Sequence, residues 1–118
     1  MRSDRAYLLD IVDAIQAIER YPPPQREAFD RDERAQVWAV YHLQVIGEAC
    51  HKLSPEIQAR HTAIPWRAIA GMRHHLVHGY FQIDPDIVWV AITERLPELK
   101  SQIADVLASD PEVGGPPS

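Results

Sequence analysis

The chain has 118 residues, 46% hydrophobic and 25% charged, a composition that suits a single globular domain with one core and excludes fibrous or low-complexity architectures. A lone cysteine, Cys50, excludes an internal disulfide framework. No apolar run reaches the roughly 20 residues of a membrane span and no apolar h-region follows Met1-Arg2-Ser3-Asp4, so a cytoplasmic protein is expected.

Ser3 is placed to cap a first helix with Asp4 in its opening turn. Leu8, Ile11, Val12, Ile15 and Ile18 then recur with helical period, and Pro22-Pro23-Pro24 ends the element near Tyr21. The segment from Pro22 to Asp30 reads as a loop. A longer helix fits Arg31 to Leu53, with Val37, Trp38, Tyr41, Val45, Ile46, Ala49 and Leu53 on its apolar face. His42 and His51 within it read as surface or partly buried histidines, and Cys50 as a small core residue with nothing basic beside it.

Ser54-Pro55-Glu56 starts a short helical turn that runs to about Arg60. Ile64-Pro65-Trp66 starts a third helix expected over Pro65 to Val77, with Trp66, Ile69, Met72 and Leu76 inside. Gly79 would be its left-handed cap, so the helix should end close to His78. Asp84-Pro85 opens a fourth helix through Ile87, Val88, Ala91 and Ile92. A kink or break is expected at Pro97, and Leu99, Ile103, Val106 and Leu107 continue the stripe. The reading is therefore an all-α bundle of four to five helices over residues 1–108, followed by a flexible tail, 109–118. No strand is expected.

Net charge is −5, which taken whole disfavours a polyanionic partner. Yet Ile57 to Ile83 contains no Asp or Glu while holding Arg60, Arg67, Arg73, His61, His74, His75 and His78. Local fields within a Debye length of about 8 Å outweigh the distant total, so this stretch can still hold a phosphate. Its densest part is Gly71-Met72-Arg73-His74-His75-Leu76-Val77-His78-Gly79-Tyr80.

Arg73 and His78 suit attack on a phosphodiester. A guanidinium binds two phosphate oxygens at once and stabilises the charge that builds on them. An imidazole can accept a proton from a ribose 2′-hydroxyl or return one to the leaving oxygen. Such cleavage needs no metal and selects RNA, which alone carries the internal nucleophile. Five residues of straight helix turn through a net angle of about 140°, so the two groups converge only if the helix ends at His78 or a second copy supplies one of them. A metal reading competes, because His74 and His78, or His75 and His78, have helical ligand spacings; no Cys or carboxylate joins them, and no metal is expected. The plain reading is a solvated arginine and a histidine that a helix C-terminus favours.

Several motifs together resemble the HepT-like branch of the HEPN superfamily: Ile46-Gly47-Glu48-Ala49, Leu53-Ser54-Pro55, Ile64-Pro65-Trp66-Arg67, Ala70-Gly71-Met72-Arg73, Leu76-Val77-His78-Gly79-Tyr80-Phe81 and Leu96-Pro97-Glu98-Leu99. The central pattern is met by Arg73, His74, His78 and Tyr80, with His74 standing where Asn is common. The resemblance implies a HEPN-like helical homodimer, and a ribonuclease toxin of a toxin–antitoxin pair. It implies Arg73 and His78 as catalytic residues in a cleft shared by two protomers, with His74 supporting or orienting them. It further implies that an MNT-type nucleotidyltransferase antitoxin attaches AMP to Tyr80, blocking the site with charge and bulk. No cofactor is implied.

Two other readings stand beside it. In one, the chain is a non-catalytic RNA- or nucleotide-binding partner subunit of a nucleotidyltransferase. In the other it is a dimerisation domain whose basic segment is an interface. Trp38, Trp66 and Trp89 could anchor a dimer under any of the three.

Overall fold

Serine and aspartate caps set where the two longest elements begin. A computed structural model of the chain describes residues 2–22, 25–79 and 82–113. Helix α1, Asp4–Glu19, starts where Ser3 Oγ accepts the Ala6 N–H at 3.1 Å, and α3, Glu33–Lys52, where Asp32 accepts from Ala35 at 3.0 Å. Leu8, Ile11 and Ile15 of α1 and Leu43, Ile46 and Cys50 of α3 are each at most 1% exposed and belong to one core. Burying a side chain of that size is worth roughly 1.5–3 kcal/mol, so this stripe dominates the packing. Cys50 is a core residue as expected, and burial pushes its thiol up to about 12.

The segment expected as a loop contains a short helix, α2, Arg26–Asp30. Phe29, 1% exposed, pins it to the core, and Gln36 Nε2 donates to the carbonyls of Phe29 and Asp30. One buried aromatic outweighs the weak helical propensity of five residues. Helix α4, Pro55–Arg60, follows its Ser54 cap as read from the sequence. Ser54 is itself held by Asp4, whose Oδ1 accepts the Ser54 N–H and whose Oδ2 accepts its hydroxyl.

The third main helix is shorter than expected: α5 spans Trp66–Met72 and stops five residues before Val77. The His74 and His75 amides bond back three residues, to Gly71 and Met72 at 3.0 and 2.9 Å, so the chain tightens into turns. Leu76, fully buried, redirects it, and the β-branched Val77 enters an extended segment. That segment is β1, Val77–His78, antiparallel to β2, Gln82–Ile83, with Val77 opposite Ile83 and His78 opposite Gln82. The all-α expectation is thus corrected to a mostly helical fold with one small hairpin. Gly79 is left-handed as predicted, at φ +55°. It serves the turn of the hairpin, not the end of a helix.

Helix α6, Pro85–Val90, is capped by Asp84. The break expected at Pro97 is a widened π-helical turn over Ala91–Arg95, which leads directly into α7, Leu96–Ser109. A proline ring collides with the carbonyl four residues back, and one wider turn removes the collision without stopping the helix.

The expected tail is partly docked. Asp110, 5% exposed, accepts from Arg60 Nε at 2.9 Å and the Glu112 amide at 2.9 Å, and lies 2.6 Å from His61 Nε2. Val113 is buried, and Arg5 donates to its carbonyl. The ordered body therefore runs past residue 108, at least to Val113; residues 114–118 lie outside the described part. Of the tryptophans, Trp66 is 5% exposed and donates to the His61 carbonyl, Trp89 is partly buried and packs at a tilt against Phe29, and Trp38, partly exposed, donates to the Ala17 carbonyl. Among the described residues no helix is long and apolar enough to cross a membrane.

Candidate active site

Arg73 is the C-cap residue of α5, and its side chain lies along α3. Its guanidinium forms an ion pair with Glu48, one turn before the end of α3, and is only 18% exposed. Lys52 Nζ stands 3.4 Å from the other Glu48 oxygen. Chiefly the Lys52 ammonium, with Arg73 behind it, holds the Glu48 carboxyl below its ordinary range. Glu48 and Lys52 are a helical i, i+4 pair, the acid on the N-terminal side, so α3 presents them together.

These groups edge a groove of about 640 Å³ that also has Arg2, Tyr7, Tyr41 and His74 in its walls. Arg2, Lys52 and Arg73 meet two carboxylates in the same trough, Asp10 paired with Arg2 and Glu48 with the other two. A phosphate bound there would compete with these acids, while the two phenol rings offer a face on which a base can stack. Arg73 and His74 both line this groove. His75, although adjacent, lines a different cavity of about 470 Å³, walled by Ile69, Met72, Ile87 and Val90.

His78 sits on β1 and not at a helix end. Its imidazole Nε2 lies 3.0 Å from Asp84 Oδ2, and its side chain is 58% exposed. The hydrogen bond to His78, followed by the backbone amide of Ile87, holds the Asp84 carboxyl below its ordinary range. No hydrogen bond, ion pair or common groove joins His78 to Arg73 among the described residues. The helical spacings that made His74, His75 and His78 possible metal ligands do not apply, because a turn and a strand replace the helix. Among the described residues no group of three His, Cys, Asp or Glu is placed to hold a metal ion. Tyr80 lies outside the described residues.

The acid-free stretch is not left uncompensated. Carboxylates from elsewhere reach four of its seven basic groups: Glu48 to Arg73, Asp84 to His78, and Asp110 to both Arg60 and His61. Sequence reading identified the cations and missed these partners. Glu48 stood within a quoted motif and Asp84 was read only as a helix cap; neither spacing shows which cation each would meet.

The description "Ribonuclease HepT-like" matches residues 11–106 of the chain. The candidate RNase TTE0752 of Caldanaerobacter subterraneus subsp. tengcongensis is 35% identical over 93% of this chain and 99% of its own length. The probable ribonuclease HepT of Thermococcus cleftensis is 36% identical over 86% of this chain and 93% of its own. The candidate RNase MJ1216 of Methanocaldococcus jannaschii is 31% identical, covering 90% and 88%. No solved structure matches the chain. A match of this extent over α1 to α7, including the whole Arg73–His78 segment, makes the chain a member of the HepT-like ribonuclease family.

Proposed function

We propose that the protein is a metal-independent endoribonuclease and the toxin of a toxin–antitoxin pair. The observation that carries this reading is the pairing of two differently prepared groups on one six-residue stretch. Arg73 is fixed at the edge of an open groove where three cations meet two carboxylates, and His78 is exposed with one ring nitrogen already engaged by a carboxylate. The first is suited to hold the scissile phosphate and the second to move a proton. Family membership and the ribonuclease names of the relatives support the same chemistry.

In this mechanism the ribose 2′-oxygen attacks the adjacent phosphorus as His78 takes its proton. The P–O5′ bond breaks as the protonated His78 returns that proton to the leaving oxygen, giving a 2′,3′-cyclic phosphate and a 5′-hydroxyl end. Arg73 binds the non-bridging oxygens, where charge accumulates in the transition state. His74, in the Arg73 groove, orients the strand. Within one protomer Arg73 and His78 are not in contact, so a homodimer whose shared cleft combines them completes the site. Tyr80, two residues beyond His78, is the position at which a nucleotidyltransferase antitoxin would attach AMP and so occupy the cleft.

One observation favours the binding-only alternative, a partner subunit of a nucleotidyltransferase: Arg73 is engaged by Glu48, which would have to yield to a phosphate. Incubation of the purified protein with a defined RNA plus EDTA separates the two. Ends carrying 2′,3′-cyclic phosphate support the nuclease; bound but intact RNA supports the alternative.

A further inference from the structure

Asp84 follows the hairpin directly and its two oxygens have different partners. Oδ1 accepts the backbone N–H groups of Asp86 at 3.1 Å and Ile87 at 3.2 Å, capping α6. Oδ2 lies 3.0 Å from His78 Nε2. The backbone is tied on both sides: the Asp84 amide donates to the carbonyl of fully buried Leu76 at 2.9 Å, and His78 is in ladder register with Gln82. The distance between carboxylate and imidazole is therefore set by the hairpin and the cap together.

An ionised carboxylate can only accept a hydrogen bond, so the shared hydrogen belongs to Nε2 of the imidazole. That assigns the tautomer. In neutral His78 the lone pair is then on Nδ1, for which no protein partner is found among the described residues, on a side chain more than half exposed.

We propose that Asp84 is the positioning residue of the ribonuclease site, holding His78 in the Nε2–H tautomer so that Nδ1 is the atom that exchanges a proton with the ribose hydroxyl or the leaving oxygen. The proposal rests on the reading of His78 as the acid–base group. The carboxyl of Asp84 stays ionised to lower pH than an ordinary aspartate, which keeps the arrangement intact at neutral pH.

The decisive variant is Asp84→Asn. Asparagine caps helices about as well as aspartate. Its Oδ1 is needed by the Asp86 and Ile87 amides, so its NH₂ is turned toward His78. The NH₂ donates, Nε2 must accept, and the proton moves to Nδ1, leaving no lone pair for the substrate. The expected result is a kcat lower by about a hundredfold or more, as when a general base is lost, with KM changed less than about twofold. ¹⁵N NMR of labelled imidazole should show Nε2–H in the parent and Nδ1–H in the variant. Asp84→Ser, which keeps a cap but cannot reach the ring, should fold normally and lose kcat similarly.

An Asp84→Asn protein with parental kcat, or one that is inactive with the parental tautomer, overturns the proposal. His78→Ala separates it from the reading beneath it. If His78→Ala cleaves RNA normally, both fall; if it is inactive while Asp84→Asn is fully active, only the role of Asp84 falls.

Discussion

Gly47 faces the stem of Arg73 so closely that a Cβ on it would stand 3.3 Å from Arg73 Cβ and Cδ and 3.3 Å from the Ile69 carbonyl oxygen. Gly47 is buried in the middle of α3, where glycine is normally unfavourable. The position therefore trades helical propensity for approach of α5, and this approach delivers the Arg73 guanidinium to Glu48.

Gly47→Ala should separate the two effects. Alanine gains about 0.5–1 kcal/mol of helix propensity, whereas crowding against a backbone carbonyl costs roughly 1–3 kcal/mol. We expect a small net loss of stability in thermal melts, with RNA cleavage falling by about tenfold or more because Arg73 is displaced. Unchanged cleavage would show that the α3–α5 spacing does not set the arginine.

Arg73 should contribute one phosphate contact. Arg73→Ala is then expected to reduce the slope of log affinity against log salt for single-stranded RNA by about 0.7, the value for one phosphate on a single strand. Glu48→Gln, which leaves Arg73 without its counter-charge, should tighten binding at low salt. Fluorescence anisotropy across a salt series checks both, and an unaltered slope in Arg73→Ala would remove the arginine from the interface.

Much of the architecture was readable from local signals. The caps at Ser3, Ser54 and Asp84 and the stripes of α1 and α7 stand as expected, since a cap or a periodic stripe depends on neighbours within a few residues. The face read for α3 does not: Val37 and Tyr41 are 52% and 61% exposed, and Ala39, Val40, Leu43 and Cys50 are buried with Ile46 and Ala49. The errors arose where distant contacts decide. Phe29 converts a proline-flanked loop into α2 by entering the core, and buried Leu76 with Val77 draws the chain out of α5 into a hairpin. Asp110 and Val113 anchor a segment whose composition suggested a tail. The candidate site divides along the same line: Arg73, His74 and His78 are visible as residue types, whereas Glu48 and Asp84 become their partners only once the chain is folded.

The hairpin turn offers a test of that long-range control. Gly79 has φ +55°, with open space where a Cβ would go, so Gly79→Ala meets backbone strain alone. A left-handed alanine costs about 1–2 kcal/mol. Local hydrogen exchange at Leu76 to Asp84 should rise, and the His78–Asp84 bond should loosen with it. Unchanged protection would mean that the buried ends of the hairpin, not its turn, hold the pair.

Asp110 predicts a pH dependence. Its carboxyl is held down from the ordinary 3.8 to about 2, mainly by His61 and then by Arg60. A carboxylate with a depressed folded-state value stabilises fully above its unfolded value, and the contribution is lost as pH falls from about 4 toward 2. Urea melts should show stability dropping across that window in the parent. Asp110→Asn should begin less stable at neutral pH and show a shallower acid decline; an identical decline would place the acid sensitivity elsewhere.

Cleavage of a defined RNA in EDTA by the parent, Arg73→Ala and His78→Ala, each confirmed folded, tests the central claim most directly. The parent should yield 2′,3′-cyclic phosphate ends, and each variant should be slower by about a hundredfold or more. Cleavage at the parental rate by His78→Ala, or parental activity that disappears with the chelator, would contradict a metal-independent reaction run by these two side chains.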